Sequence, residues 1–200
     1  MRLSAGQQAP EFVVDDMHQR PISLVAYCER RRPVLLMFYR SAVCPLCSIN
    51  LLELIERFPE YHALGLEVIA FFESSAKVVR RFHGRLRCPF PIIPDREKAA
   101  YSLYQLETSV IGTARGSMLR DRYREAKRRN AGIVPLIPGF IAMDGAKFRM
   151  PAGFLIDPDQ TIRIAYYGRT SGDFLPFADI EAALVSLSHD ALPQSENGDH

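Results

Sequence analysis

The sequence lacks several features that would place the protein in a specialised class. No apolar run approaches the ~18 residues that a membrane-spanning helix needs. The formal net charge of +2 is too small to indicate binding to nucleic acid or to a membrane surface. The start of the chain has no apolar stretch typical of a secretory signal, so we expect a cytoplasmic protein.

Cysteine is also scarce, with four residues in a chain of 200: Cys28, Cys44, Cys47 and Cys88. In a reducing compartment structural disulfides are rare, and a chain of this length can build a core without them. The close pair formed by Cys44 and Cys47 is therefore predicted to serve catalysis or metal binding. Cys28 and Cys88 are interpreted as structural, since free cysteine often packs as a small apolar residue.

The pattern of apolar residues predicts strands that alternate with helices. Continuous apolar runs predict buried strands at 33–39 and 66–72, and a helical spacing predicts a helix from about Cys44 to Leu64. Shorter elements are predicted as strands at 9–16 and 91–95, helices at 74–83, 98–106 and 177–188, and a hairpin of 154–157 with 161–167. This order predicts an α/β sandwich with a mixed central sheet flanked by helices.

One segment interrupts the alternation. Residues 107–149 contain a basic helical stretch, 115–129, followed by a passage rich in Gly and Pro. We interpret them as a helical insertion before the last hairpin, within a single domain spanning residues 1–192. The polar residues 193–200 are predicted to form a flexible C-terminal tail.

The position of Cys44 and Cys47, where a strand gives way to a helix, predicts redox chemistry. Unpaired N–H groups and the positive end of the helix dipole stabilise a thiolate at Cys44, and Arg40 adds positive charge if its side chain turns towards the site. Cys47 lies three residues later on the same helical face, within reach of a disulfide with Cys44. A zinc site is an alternative, but the sequence has no second C-x-x-C and no H-x-x-x-H. Two inert buried thiols are the other alternative.

The chain resembles a known family, the redoxin or AhpC/TSA (peroxiredoxin-like) branch of the thioredoxin-fold superfamily, in its C-x-x-C-bearing subgroup. The resemblance covers about residues 5–187 and is carried by the stretches 9–12, 38–40, 44–47, 90–95, 153–158 and 172–176. It implies a thioredoxin-like fold, and it implies that Cys44 attacks an oxidised substrate and Cys47 resolves the product. Ser41 matches the hydroxyl residue that precedes the attacking cysteine, and by resemblance it orients a peroxide.

The sequence departs from the family in two places. Met37 stands where the family has a proline, and the arginine of the last strands has no counterpart, because Pro151 occupies about that position. Pro151 instead matches the cis-proline of thioredoxin-like thiol reductases, although local sequence favours a trans bond. Arg40 and Arg149 are the candidates for the missing charge, and the sequence alone favours a solvated surface position for each.

The sequence thus predicts an oxidoreductase with Cys44 and Cys47 as catalytic residues, supported by Ser41, Arg40 and Pro151, without a metal or organic cofactor. Its substrate would be a peroxide or a disulfide, and its electron donor a protein or peptide of the thioredoxin or glutathione type. A thiol–disulfide oxidoreductase with negligible peroxidase activity is the main alternative. A non-catalytic thioredoxin-fold binding module is another, which the presence of both cysteines disfavours. We expect no nucleic acid or membrane partner, and a homodimer is an open expectation.

Overall fold

The computed structural model describes residues 2–117, 144, 145 and 147–190. Its strands are β1 (Val13–Asp15), β2 (Pro21–Ser23), β3 (Val34–Tyr39), β4 (Glu67–Phe72), β5 (Ile92–Pro94), β6 (Ala152–Ile156) and β7 (Ile162–Tyr167). The helices are α1 (Leu24–Cys28), α2 (Pro45–Ala63), α3 (Ala76–His83), α4 (Ala99–Leu103), α5 (Val110–Ser117) and α6 (Phe177–Asp190). The order of elements confirms the predicted alternation of strands and helices.

The central sheet has five strands in the order β5-β4-β3-β6-β7. Strand β4 pairs in parallel with both β3 and β5, whereas β6 is antiparallel to β3 and β7 is antiparallel to β6. The sheet is therefore mixed, as the sequence predicted. Because β3 lies in its middle, all six of its residues are buried, which explains the continuous apolar run at 34–39.

Helix α2 follows β3 and begins where the sequence predicted. Cys44 is its N-cap residue, with extended backbone angles, and Pro45 occupies the first turn, where a missing N–H costs no hydrogen bond. At the other end, Gly65 follows the C-cap residue with φ +91°, a conformation that a side chain disfavours. The helix therefore projects Cys44 from the carboxyl end of the central strand.

Side chains that alternate along β3 divide the core into two halves. Leu35, Met37 and Tyr39 lie on the face covered by α2, α3 and α6, which we call the site face because it also contains Cys44 and Cys47. Val34, Leu36 and Phe38 lie on the opposite face with residues of α1, α4 and the N-terminal segment, and we call this the back face. The alternation is the ordinary consequence of the two-residue period of a strand.

The sequence missed the small β1–β2 sheet and the five-residue helix α1. Both elements are too short to show a repeating spacing of apolar residues in the sequence. Their residues pack on the back face. Of the predicted strand at 9–16, only Val13–Asp15 is a strand, and it pairs with β2 instead of joining the central sheet.

The two ends of the predicted insertion come together beside the sheet. Thr108 and Arg149 form an antiparallel bridge, and the Ser109 N–H donates to the Phe148 carbonyl at 2.7 Å. Helix α5 begins just after this bridge and agrees with the helical character predicted for the segment. The basic stretch beyond Ser117 and the predicted tail lie outside the described residues. In the parts of the chain that are described, no helix has the length and apolarity needed to cross a bilayer.

Candidate active site

The structure places Cys44 and Cys47 together in the core at the beginning of α2. Only 1% of Cys44 and none of Cys47 is exposed, and both are free thiols. The Cys44 carbonyl accepts hydrogen bonds from the backbone N–H and the hydroxyl of Ser48, at 3.0 and 3.2 Å, which fixes the first turn. The predicted pair therefore sits at the end of β3, on rigid elements.

Arg40 is buried beside the sulfur of Cys44, so the expectation of a solvated surface position is wrong. Its residue exposure is 6%, and its Nη2 lies 3.6 Å from the Cys44 Sγ. A second nitrogen, Nη1, donates to the carbonyl of Lys147 at 3.2 Å. The guanidinium turns inwards because it finds both an anionic sulfur and a carbonyl acceptor there.

This arrangement shifts the pKa values of the two thiols in opposite directions. A hydrogen bond from the Cys47 thiol and the positive charge of Arg40 lower the pKa of Cys44 below its usual range, against the opposing effect of burial. Burial and the adjacent Cys44 sulfur raise the pKa of Cys47 well above its usual range. Cys44 is thus equipped to carry a thiolate at neutral pH while Cys47 stays protonated.

Ser41 lies in the loop before Cys44, and the hydrogen bonds of its hydroxyl are with other residues. Its Oγ lies 3.2 Å from the Ser74 Oγ, and it accepts a hydrogen bond from the Val43 N–H at 3.4 Å. Ser74 in turn accepts from the Ala42 N–H at 3.1 Å. The Ser41 carbonyl accepts from the Cys44 N–H at 3.0 Å, and within the described residues the Ser41 hydroxyl forms no hydrogen bond with the Cys44 sulfur. Ser41 therefore stabilises the loop.

Pro151 lies next to the same loop. The register of β3 and β6 pairs Phe38 with Ala152, so Pro151 directly precedes the paired residues at the carboxyl end of β3. The proline is buried, and its carbonyl accepts from the Gly168 N–H at 2.9 Å. Every peptide bond of the described residues is trans, and the Met150–Pro151 bond is among them, in agreement with the local sequence and unlike the cis-proline of the reductases that Pro151 resembles.

Sequence reasoning missed the residues that follow β4. Glu73 and Ser74 are completely buried beside the cysteine loop, and the Glu73 carboxylate accepts from the Arg149 Nε at 2.6 Å. Arg149 is itself 8% exposed, so it is also not a solvated surface residue. A signal was present in the sequence, because a charged residue directly after a parallel strand lies at the sheet edge where the cysteine loop begins.

The described residues bring no group of three His, Cys, Asp or Glu side chains together in a way that would hold a metal ion. The zinc alternative would need two ligands besides the C-x-x-C pair. The chemistry that these residues support is that of a thiolate, a neighbouring thiol and a buried cation.

A comparison with family models identifies the lineage. Residues 5–165 match the model of the AhpC/TSA family. The chain belongs to this family. The match covers both sheets and every strand except the last residues of β7, and it includes Cys44, Cys47, Arg40 and Pro151.

Curated AhpC/TSA relatives carry two kinds of name. The chain is 30% identical to peroxiredoxin 2 of Thermoplasma acidophilum over 58% of its own length and 60% of that protein's. It is 30% identical to the thiol-disulfide oxidoreductase ResA of Geobacillus thermodenitrificans, over 51% of this chain and 58% of that protein. The alignment thus spans about three-fifths of each relative's length.

Solved structures agree on the fold. Peroxidoxin BcpB from Mycobacterium tuberculosis superposes with a TM-score of 0.64 at 16% identity, covering 94% of this chain and 98% of that one. A thiol peroxidase from Chromobacterium violaceum superposes with a TM-score of 0.62 at 15% identity, covering 94% and 90%. The fold is thioredoxin-like, as the resemblance implied.

Proposed function

We propose that this AhpC/TSA protein is a thiol-dependent oxidoreductase in which Cys44 attacks an oxidised substrate and Cys47 resolves the product. The contact of the Arg40 guanidinium with the Cys44 sulfur, inside a buried dithiol, carries the proposal. A buried cation beside one thiol of a C-x-x-C pair has little structural value by itself, because burying an arginine costs free energy unless an anion accompanies it. The thiolate of Cys44 is that anion.

With a hydroperoxide as substrate, the Cys44 thiolate attacks one peroxide oxygen and the O–O bond breaks. The sulfur becomes a sulfenic acid, and the other oxygen leaves as an alcohol or water after taking a proton. The Cys47 thiol then displaces water from the sulfenic acid and forms the Cys44–Cys47 disulfide. Two electrons from a dithiol protein or from glutathione, the donor types that we propose, restore both thiols.

A second candidate function is thiol–disulfide exchange without significant peroxidase activity. The contacts of Ser41 favour it, because the Ser41 hydroxyl bonds with Ser74 and Val43 and, within the described residues, not with the Cys44 sulfur. Peroxide reduction needs donors aimed at the developing charge, whereas exchange with a disulfide needs mainly an accessible thiolate. The relatives named as peroxiredoxins support the first candidate, and the relative named as a thiol-disulfide oxidoreductase supports the second.

Peroxide consumption coupled to NADPH oxidation through thioredoxin and its reductase tests the proposal. We expect Cys44→Ser to lose turnover, Cys47→Ser to stop after one equivalent of peroxide, and the control Cys88→Ser to match the wild type. Rapid reduction of a model disulfide that depends on Cys44, without peroxide turnover, would assign the second function. No Cys44-dependent reaction with either substrate would contradict both and leave a binding module.

A cytoplasmic location and a homodimer stay predictions of the sequence. Light scattering of the purified protein tests the homodimer, and fractionation of native cells tests the location.

A further inference from the structure

Five described residues, 144, 145 and 147–149, form the end of the insertion before β6, and we call them the return segment. The segment crosses the carboxyl ends of β3 and β4, where the cysteine loop also begins. Three contacts hold it against the residues that follow β4, and a fourth connects it to Arg40.

The first contact is a buried ion pair. The Arg149 Nε lies 2.6 Å from the Glu73 Oε2, and the side chains are 10% and 0% exposed. A further nitrogen of Arg149 donates to the Leu106 carbonyl, and the guanidinium lies 5.5 Å from the centre of the Tyr101 ring. Removing one partner of such a pair leaves an uncompensated charge in the core, so the pair holds Arg149 firmly in place.

The other two contacts lie at the beginning of the return segment. The Asp144 Oδ2 accepts from the Ser75 N–H at 2.8 Å. Gly145 lies so close to the backbone of Glu73 that a methyl group in its place would overlap the Glu73 carbonyl oxygen. The close approach therefore requires glycine at position 145.

Between these anchors the Lys147 carbonyl accepts from the Arg40 Nη1 at 3.2 Å. The same guanidinium reaches the Cys44 Sγ through its Nη2 at 3.6 Å. Its third nitrogen, Nε, is buried and has no hydrogen-bond partner among the described residues. Within the described residues, the position of Arg40 therefore rests on one sulfur and one backbone carbonyl.

We propose that Glu73 and Gly145 are positioning residues, which hold the return segment so that the Lys147 carbonyl keeps the Arg40 guanidinium against the Cys44 sulfur. The inference rests on the proposed role of Cys44 as the reacting thiol. It extends the site to residues that touch neither the substrate nor the sulfur, and it gives the buried ion pair a task other than stabilising the fold.

Removing the charge of Glu73 distinguishes two modes of action, because they change the thiolate fraction of Cys44 in opposite directions. If Glu73 acted on Cys44 only through its negative charge, Glu73→Gln would favour the thiolate, because a nearby carboxylate disfavours a second anion. If Glu73 acts by positioning, Glu73→Gln frees Arg149 and the return segment, Arg40 leaves the sulfur, and the thiolate becomes less favourable. The two modes of action predict opposite changes.

The experiment is the pH dependence of Cys44 alkylation by iodoacetamide in the reduced full-length protein, read by mass spectrometry of the Cys44 peptide. We expect Gly145→Ala and Glu73→Gln each to slow alkylation at about pH 5 about tenfold, as Arg40→Met does, since below the pKa of Cys44, about 6 in the wild type, one pKa unit changes the thiolate fraction tenfold. Glu73→Asp should retain part of the wild-type rate. The matched control is Lys98→Met, because the Lys98 Nζ lies 4.0 Å from Glu73 on a half-exposed side chain and forms no ion pair with the described residues of the return segment.

Two double variants complete the test. Gly145→Ala and Glu73→Gln should each add nothing to Arg40→Met, since residues that act through one group are not additive. Additive losses, faster alkylation in Glu73→Gln, wild-type rates in both single variants, or an equal loss in Lys98→Met would overturn the inference. If Gly145→Ala does not fold, the direction of the change in alkylation rate in Glu73→Gln decides.

Failure of this inference is distinguishable from failure of the proposed function. Cys44 that titrates as an ordinary thiol in the wild type would contradict the proposed function itself. A reactive wild-type Cys44 that is insensitive to Glu73 and Gly145 would leave the function in place and remove only the positioning role.

Discussion

The two faces of the central sheet bury side chains of different kinds. On the back face, aromatic rings pack around Phe38, with ring centres 4.5 Å away for Phe71, 5.2 Å for Tyr104 and 5.9 Å for Phe154. The site face buries thiols, a guanidinium and an imidazole, and buried nitrogens of Arg40 and His83 find no hydrogen-bond partner in the part of the chain that the structure describes. Both faces bury apolar side chains that stabilise the fold, and the site face in addition accepts costly polar groups, among them those of the proposed chemistry.

The largest effect that we expect comes from the back face. Phe38→Ala removes the ring at the centre of the aromatic packing and should lower the free energy of unfolding by about 3–5 kcal/mol, as for other buried Phe-to-Ala changes. Denaturant unfolding measures this. In the fraction that remains folded, the pH dependence of Cys44 alkylation should match the wild type, and a shifted profile would show that the faces are not independent.

The next effect concerns His83 on the site face. Burial against Phe72, with ring centres 4.7 Å apart, lowers the pKa of His83 to about 4. On acidification the unfolded chain takes up a proton at this residue near pH 6.5, the usual value, and the folded chain does so only near pH 4. The contribution of His83 to the free energy of unfolding is fully present above pH 6.5. It falls by about 3 kcal/mol as the pH decreases from 6.5 to about 4.

His83→Leu should remove this decline because leucine does not titrate. Unfolding by urea at a series of pH values compares the two proteins. An unchanged acid dependence in His83→Leu would assign the loss of stability to other groups.

A third prediction sharpens the chemical side of the comparison. Arg40→Met removes the cation beside Cys44 but leaves the burial, so the pKa of Cys44 should rise above about 6 and its reactivity at about pH 5 should fall about tenfold or more. Arg40→Lys keeps a positive charge but cannot contact the sulfur and the carbonyl together. The pKa of Cys44 in this variant should lie between those of the wild type and Arg40→Met. Absorbance of the thiolate against pH, in a variant without Cys28 and Cys88, provides the measurement. Equal profiles for all three proteins would contradict a role for Arg40.

The smallest effect comes from a single hydroxyl. Tyr39 donates to the Asn50 Oδ1 at 3.0 Å in the buried site face, and Tyr39→Phe leaves that oxygen without its partner. We expect a loss of about 1–2 kcal/mol in the free energy of unfolding. The double variant with Asn50→Leu should recover part of it, because no polar group then stays unpaired. A double variant as unstable as the sum of the singles would count against this explanation.

The sequence predicted those parts of the fold and site that depend on neighbours along the chain. The apolar run of β3 and the helical spacing of α2 are local patterns, and Cys44 and Cys47 lie where one element passes into the next. It did not predict the inward turn of Arg40, because the carbonyl that receives it belongs to Lys147, 107 residues away. Ser41 shows the same limit, since its hydroxyl is directed by Ser74, 33 residues further along.

What the sequence by itself determined is the family, the mixed α/β sheet and the pair of cysteines at a helix start. These follow from periodicity and from motifs whose residues are close together. The helix start also predicted Cys44 as the more acidic thiol, and only the tertiary structure decided which side chains support its negative charge. The reason is physical: the pKa of a buried sulfur depends on charges and dipoles within a few ångströms, and distant segments bring those together only when the chain folds.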